Sequence, residues 1–401
     1  MYPSIYYLVK DLFGWNIPFL KMVQTFGFFV AIAFLVSAYF WTKELKRKEK
    51  EGLIGTTTVK VLKGQRATIT ELLTSGLIGF FIGYKALFII LNFTAFTDDT
   101  QGFLLSTKGN LLGGLVLGVL SAYLKFREKE KTKREVPVWE NEIMHPYQHV
   151  GNMTLIAAFA GLLGAKIFHN LENWDTFIAD PKEAIFSFSG LTMYGGLILA
   201  SITLIWYGRK NKIPVLHLID SSAPSIMIGY AVGRIGCHMS GDGDWGINNL
   251  SPKPHWLSWA PDWMWSFDYH NNVLSEGEPM ANCIGEKYCN HLVPPVFPTP
   301  FYETLMCAFL FLILWNIRKK IKIPGMMFSV YLIFNGIERF FIEKIRVNTL
   351  YHVNGFGFTQ AELISTILFF LGIIGVFYFR KLDKKNSGEI NNSQQPTTNN
   401  Q

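Results

Sequence analysis

Apolar residues recur in runs of roughly 17 to 22 positions, separated by short polar or charged stretches. The runs lie near residues 22–41, 73–92, 110–125, 153–169, 191–207, 218–236, 301–316, 325–342 and 361–379. A helix of about 20 residues spans about 30 Å, the thickness of a bilayer's hydrocarbon core. The pattern predicts an all-α polytopic membrane protein with about nine transmembrane helices. The alternative, a soluble helical core, does not need so many runs of bilayer length. Between the sixth and seventh runs lies a long polar stretch, 241–300, rich in aromatics such as Trp245, Trp256, Trp259, Trp263, Trp265 and Tyr269. After Lys385 the chain turns Asn/Gln/Ser/Thr-rich and apolar-poor, and with the basic residues before it a disordered tail is expected over 381–401.

Composition agrees with the pattern. Charged residues make up 17% of the chain, against about 25% in an average soluble protein. The formal net charge of +7 raises the question of nucleic acid, but its distribution argues against such a partner. Basic clusters fall in alternate loops, at Lys43 to Lys50, Lys125 to Arg134, Arg209 to Lys212, Arg318 to Lys322 and Arg380 to Lys385. This is the positive-inside pattern. It predicts a periplasmic N-terminus, a cytoplasmic C-terminus and a periplasmic 241–300 segment whose tryptophans sit at headgroup level. The first apolar run is followed by a basic cluster rather than a small-residue cleavage site, so no cleavable signal peptide is expected.

An internal repeat organises the first half. Gly83-Tyr-Lys85 in one run parallels Gly164-Ala-Lys166 in another, an offset of 81 residues (164 − 83). Gly113-Gly114-Leu-Val parallels Gly195-Gly196-Leu-Ile, an offset of 82 (195 − 113). A helix pair has been duplicated in the same direction, giving expected pairs over 73–126 and 150–208. Small residues suit close helix packing in a membrane. Lys85 and Lys166 would either snorkel to the outer surface or take part in chemistry. Cys283 and Cys289 share the outer segment, where an oxidising compartment allows a disulfide. A zinc site using them and His291 is the alternative, but the spacing matches no standard zinc pattern.

The chemistry-bearing stretch begins at Asp220-Ser-Ser-Ala-Pro224 and runs into Gly233-Arg234-Ile-Gly236-Cys237-His238-Met-Ser240-Gly241-Asp242. It places an arginine at the outer end of a membrane helix, which is costly without a partner or polar cavity. A second such site is Glu338-Arg339-Phe-Phe-Ile-Glu343-Lys-Ile-Arg346. Together they suggest a cationic pocket for a phosphate-bearing lipid.

These stretches resemble the signature of the prolipoprotein diacylglyceryl transferase family. Gly190-Leu-Thr-Met-Tyr194-Gly195-Gly196 and Phe297-Pro-Thr-Pro-Phe-Tyr302-Glu303 resemble two more family motifs, and all four occur in the family's order. There are departures. The family's histidine before Gly-Gly is Tyr194 here, its two asparagines after Gly-Arg-x-Gly are Cys237 and Ser240, and its glutamate is Asp242, with one extra residue following. The family core has about seven membrane helices; the duplicated pair supplies the extra two.

The resemblance implies an enzyme of the bacterial inner membrane occupying residues 1–380. It would move a diacylglyceryl group from phosphatidylglycerol to the lipobox cysteine thiol of a prolipoprotein signal peptide. A thioether forms and glycerol phosphate leaves. An anionic leaving group calls for fixed cations, and arginine's planar fork pairs two phosphate oxygens. Arg234 and Arg339 take that role. Tyr194, His238 and Asp242 are the candidates for taking the thiol proton, with Tyr194 alternatively holding the donor lipid. Gly195, Gly196, Gly233, Gly236, Lys166, Glu303, Glu343 and Arg346 are the expected substrate-binding set, the two glutamates mainly holding the arginines. No metal or dissociable cofactor is implied. A lipid or anion transporter, or a non-catalytic lipid-binding paralogue, are the alternatives. A transporter would show flux without covalent product.

Overall fold

Among the described residues, each apolar run coincides with a helix to within a few positions at its ends. The computed structural model describes the chain apart from residues 99–102, 104–105, 187–189, 191, 282, 284–286, 349–350, 354–355 and 394–401. It forms two units, Met1–Ile54 with Ile213–Gln401, and Gly55–Lys212. The first unit opens with α1 (Ile5–Phe13) and α2 (Thr25–Lys50). The second holds β1 (Thr57–Lys63), α3 (Ile69–Leu91), α4 (Leu111–Lys131), β2 (Val138–Met144), α5 (Val150–Glu172) and α6 (Met193–Lys210). The chain then returns to the first unit with α7 (Val215–Ser240), β3 (Glu278–Pro279), β4 (Asn290–His291), α8 (Thr299–Ile317), α9 (Met326–Glu343), β5 (Tyr351–Val353), β6 (Phe356–Phe358) and α10 (Gln360–Ser393).

Among the described residues, six helices are long and apolar enough to cross a membrane: Thr25–Lys50, Ile69–Leu91, Pro146–Glu172, Val215–Ser240, Thr299–Ile317 and Gln360–Lys385. The other three expected spans are helical too, as α4, α6 and α9. Each carries more charge: α4 ends in Arg127-Glu-Lys-Glu-Lys131, α6 in Arg209-Lys210, and α9 bears Glu338, Arg339 and Glu343. Leu191, where one run was expected to begin, lies outside the described residues.

In the second unit α3 packs on α4 and α5 on α6. Glycines set both crossings. A Cβ on Gly83 would lie 2.1 Å from the Gly113 carbonyl oxygen, and one on Gly164 would lie 2.4 Å from that of Gly195. No side chain fits at such an approach. The same crossing thus occurs in both hairpins, at the positions where the sequence repeats. The capping box of Thr68 and Glu71 starts α3. Leu73, Leu77, Phe81, Leu115 and Val119 are exposed on the outer faces, as a lipid-facing surface requires.

The all-helical expectation omits three short antiparallel ribbons. β1 pairs with β2 from Thr57↔Met144 to Lys63↔Val138. Its Thr-Thr-Val-Lys-Val-Leu-Lys sequence alternates with strand period, but lies in a stretch read only as a connection between helices.

In the first unit α2, α8 and α9 surround α7. Their shared core contains Ala223, Met227, Ala231, Cys307, Phe311, Leu314 and Met327. The basic stretch from Lys43 to Lys50, expected as a loop, is the last third of α2. Lys, Glu and Arg are good helix formers, and Glu44 and Lys48 are buried. At the other end of the chain α10 continues to Ser393. The tail expected to be disordered from 381 is therefore helical over its first part, where Lys381, Lys384 and Lys385 favour helix. Residues 394–401 lie outside the described part.

The 241–300 segment has its own small core of Trp245, Tyr269, Leu292 and Val296. Cys283 and Cys289 are joined by a disulfide. Trp256 and Trp259 are exposed, whereas Trp245 is buried against Tyr269.

Candidate functional site

Three arginines and three carboxylates meet where the C-terminal ends of α7 and α9 lie beside the first turn of α8. Arg234 is carried by the last turns of α7, whose C-cap Gly241 takes the left-handed conformation (φ 64°) and turns the chain out of the helix. After it, Gly246 forms a bridge with Arg346, and Ile247 N–H donates to the Ile345 carbonyl at 2.9 Å. A Cβ on Gly246 would lie 2.5 Å from that carbonyl oxygen, so only glycine allows this approach. The bridge brings Asp244 against Arg346.

Glu303 is the centre of the cluster and is fully buried. Its Oε2 lies 2.8 Å from Arg234 Nε, an ion-pair contact rather than a hydrogen bond. Its Oε1 accepts from Arg339 Nη1 at 3.1 Å, from Tyr230 Oη at 3.1 Å and from Arg346 Nη1 at 3.5 Å. Tyr230 Oη in turn accepts from Arg234 Nη2 at 3.0 Å. Arg339 Nη2 lies 3.2 Å from Glu343 Oε2. Glu343 Oε1 accepts from Asn348 Nδ2 at 2.6 Å and Thr359 Oγ1 at 2.7 Å. Asp244 bridges the last gap, one carboxylate oxygen on Arg234 Nη1 and the other on Arg346 Nη2.

Burial alone would raise the Asp244 carboxyl's proton affinity, but Arg234 and Arg346 override it and hold the group below the usual carboxylate range. Asp242 goes the other way. Its burial, and then the charge of Asp244, push it above that range. Cys237, Asp242 and Asp244 offer ligand atoms within 4.8 Å of one another. Two guanidiniums already hold the Asp244 carboxylate, so its oxygens are engaged there rather than offered to a metal.

The structure therefore brings together Arg234, Arg339, Glu303, Glu343 and Arg346 from the expected set, with Asp242 close by. His238 faces elsewhere. Its Nδ1 is 3.1 Å from Tyr269 Oη, and its ring lies among Trp263, Phe267 and Phe301. Gly236 is where α7 meets α2, with an added Cβ 2.8 Å from Phe29 Cβ, while Gly233 borders open space. Tyr194, Gly195, Gly196 and Lys166 belong to the second unit. There Gly195 and Gly196 pack against α5, and Tyr194 and Lys166 are half-buried. Lys85, the counterpart of Lys166, donates to the carbonyls of Phe103, Ser106 and Lys108 and so anchors the loop after α3.

Two members of the cluster escaped the sequence reading. Tyr230 stands four residues before Arg234, one helical turn away, a spacing that would have signalled a pair. Asp244 was hidden by the neighbouring Asp242, which occupies the expected acidic position.

Fold and site together define a multi-pass helical membrane protein with a buried arginine–carboxylate cluster at one end of its helices. The chain belongs to the prolipoprotein diacylglyceryl transferase family, whose sequence model matches residues 133–378. The phosphatidylglycerol–prolipoprotein diacylglyceryl transferase of Leptospira interrogans serovar copenhageni is 25% identical over 331 residues, covering 69% of this chain and 90% of that protein. Proteins of the same name from Dehalococcoides mccartyi strain 195 and Lysinibacillus sphaericus are each 27% identical. They cover 60% and 66% of this chain, and 80% and 86% of their own lengths. The family match begins after the first helix hairpin, α3–α4.

Proposed function

We propose that this chain transfers the diacylglyceryl group of phosphatidylglycerol to the lipobox cysteine of prolipoproteins. Family membership supports the reaction class. The observation that carries the reading is the convergence of Arg234, Arg339 and Arg346 on one buried centre. The reaction forms a C–S bond at the glyceryl carbon and breaks that carbon's bond to the phosphate ester oxygen. The electron pair leaves with glycerol phosphate, and the thiol proton passes to a base. Guanidiniums fixed beside the departing phosphate lower the barrier because the charge they stabilise grows as the bond breaks. Glu303 and Glu343 hold the three forks in place before the lipid arrives, so little reorganisation is needed. Asp242, close to Cys237 and Asp244, is a candidate for the thiol proton, as is Tyr194 by its place in the family's motif.

The same reading puts nine helices across the bacterial inner membrane, with the N-terminus and the 241–300 head in the periplasm. The charge bias of the loops supports this, as does the Cys283–Cys289 disulfide, which suits an oxidising compartment. The two glycine crossings at equivalent positions support duplication of a helix hairpin. Mass spectrometry of a lipobox peptide incubated with phosphatidylglycerol and the purified protein tests the function. A mass gain of one diacylglyceryl group on the cysteine is expected. An unmodified peptide with an intact, folded protein would refute the transferase reading.

A further inference from the structure

The cluster is already balanced. Three guanidiniums, of Arg234, Arg339 and Arg346, face three paired carboxylates, of Glu303, Glu343 and Asp244. Adding a phosphate anion to arginines that are all already paired gains little, because each one's charge is already answered. Exchanging one carboxylate for the phosphate keeps the balance.

The three carboxylates differ in how easily they could leave. Glu303 and Glu343 side chains are fully buried, whereas Asp244 is 30% exposed. Glu343 is also fixed by Asn348 and Thr359. Asp244 is held by its two arginines, and it spans them with one oxygen on each, as two oxygens of a phosphate would. Its main chain is independently anchored, since Thr299 Oγ1 donates to the Asp244 carbonyl at 2.7 Å. Freeing the carboxylate therefore needs only a side-chain rotation, with no loop movement.

We propose that Asp244 is an internal stand-in for the lipid phosphate: it closes the Arg234–Arg346 clamp in the resting protein, yields to the donor's phosphodiester, and returns to displace glycerol phosphate. This rests on the transferase reading above. It makes Asp244 a positioning residue that sets donor affinity and product release and carries out no bond-making step.

The test uses full-length protein in phosphatidylcholine nanodiscs, with glycerol phosphate binding measured by calorimetry and transfer measured at varied phosphatidylglycerol. Asp244→Asn keeps the shape and removes the competing charge. Glycerol phosphate should bind at least about tenfold tighter, and both KM for phosphatidylglycerol and kcat should fall, because product leaves slowly. Asp244→Glu, which keeps a competing carboxylate, should show no such gain. Arg346→Lys in the Asp244→Asn background should abolish it. Unchanged or weaker binding in Asp244→Asn, with KM unchanged or raised, would overturn the proposal and make Asp244 a strut. Should the asparagine variant not fold, Asp244→Ser replaces it; failure of both to fold also identifies a strut. The two ideas separate cleanly. Wild-type binding that depends on Arg234 without a gain in Asp244→Asn sinks only the stand-in. Absence of any arginine-dependent binding sinks the clamp with it.

Discussion

Helix α7 carries a buried charge cluster at each end, and the two are built differently. Near its start, Asp220 accepts main-chain N–H bonds from Gly325 at 2.8 Å and Phe328 at 2.9 Å. It thereby caps α9, where Gly325 turns in with φ 87°. Lys48 Nζ lies 3.7 Å away and donates to the His217 carbonyl at 3.4 Å. Near its end, among the described residues, Arg234 is held by side chains: Glu303, Asp244, Tyr230 and Cys237. Main-chain donors at a helix start cannot leave without unwinding the helix. Side-chain partners can rotate away. Burial of charge is common to both clusters, so burial does not distinguish scaffold from site; the mobility of the partner does.

If that contrast holds, damage at the two ends should read out differently. Asp220→Ala removes two cap bonds and leaves Lys48 buried without its carboxylate. A loss of about 3 kcal/mol of stability is expected, as when one partner of a buried pair is removed. Denaturant unfolding in detergent would measure it, and transfer by the molecules that remain folded should persist. Full stability with abolished transfer would reverse the assignment and make the Asp220 end part of the site.

At the other end the effect should fall on rate. Arg339→Lys keeps a cation but cannot reach Glu303 and Glu343 while also offering a fork to phosphate. At least about a tenfold loss in transfer is expected, equivalent to about 1.4 kcal/mol of transition-state stabilisation. Mass spectrometry of the lipidated peptide provides the count. Wild-type transfer by this variant and by Arg234→Lys would count against the clamp as a whole.

The same contrast explains what the sequence could reveal. Apolar period and length place a helix at each predicted run among the described residues, because membrane solvation acts on each run independently of its neighbours. Arg234 and Arg339 were legible because an ionisable group in an apolar run stands out, and Glu303, Glu343 and Arg346 through their places in the family's motifs. The cap made by Asp220 was not, since it depends on a residue about a hundred positions away. Nor was the burial of Lys48, whose basic neighbours read as a solvated loop. His238 looked available beside Arg234, yet three aromatics from distant parts of the chain enclose it. Asp244 and Asp242 are two residues apart and alike in type. Only the bridge between Gly246 and Arg346 decides which one meets the arginines.

A smaller effect concerns the residue that replaces the family's histidine. Tyr194→Phe keeps the ring and removes one hydroxyl. If that hydroxyl makes a single hydrogen bond to the donor or the thiol, about 1 kcal/mol and so about a fivefold loss of turnover is expected. Unchanged turnover would remove Tyr194 from the mechanism and leave Asp242 as the candidate base.

The smallest effect, and the finest probe of the mobile end, is the pH dependence of stability. Asp244 has a lowered proton affinity in the folded protein, so it contributes stability above the unfolded carboxylate value of about 4 that is lost as pH falls through its lowered value. Asp242 has a raised one, through burial first and then Asp244, so the sign reverses: its contribution weakens the fold as pH rises from about 4 through its raised value. The two slopes occupy adjacent windows, one below and one above that reference. Asp242→Asn deletes the upper slope alone. The variant should be more stable than wild type near pH 7, with the difference vanishing toward pH 4. Its loss of stability below pH 4 should remain, because Asp244 still holds its two arginines. A variant that is less stable than wild type at pH 7 would show that Asp242 is a needed ionic partner, and the cluster would then have a fourth carboxylate holding it shut.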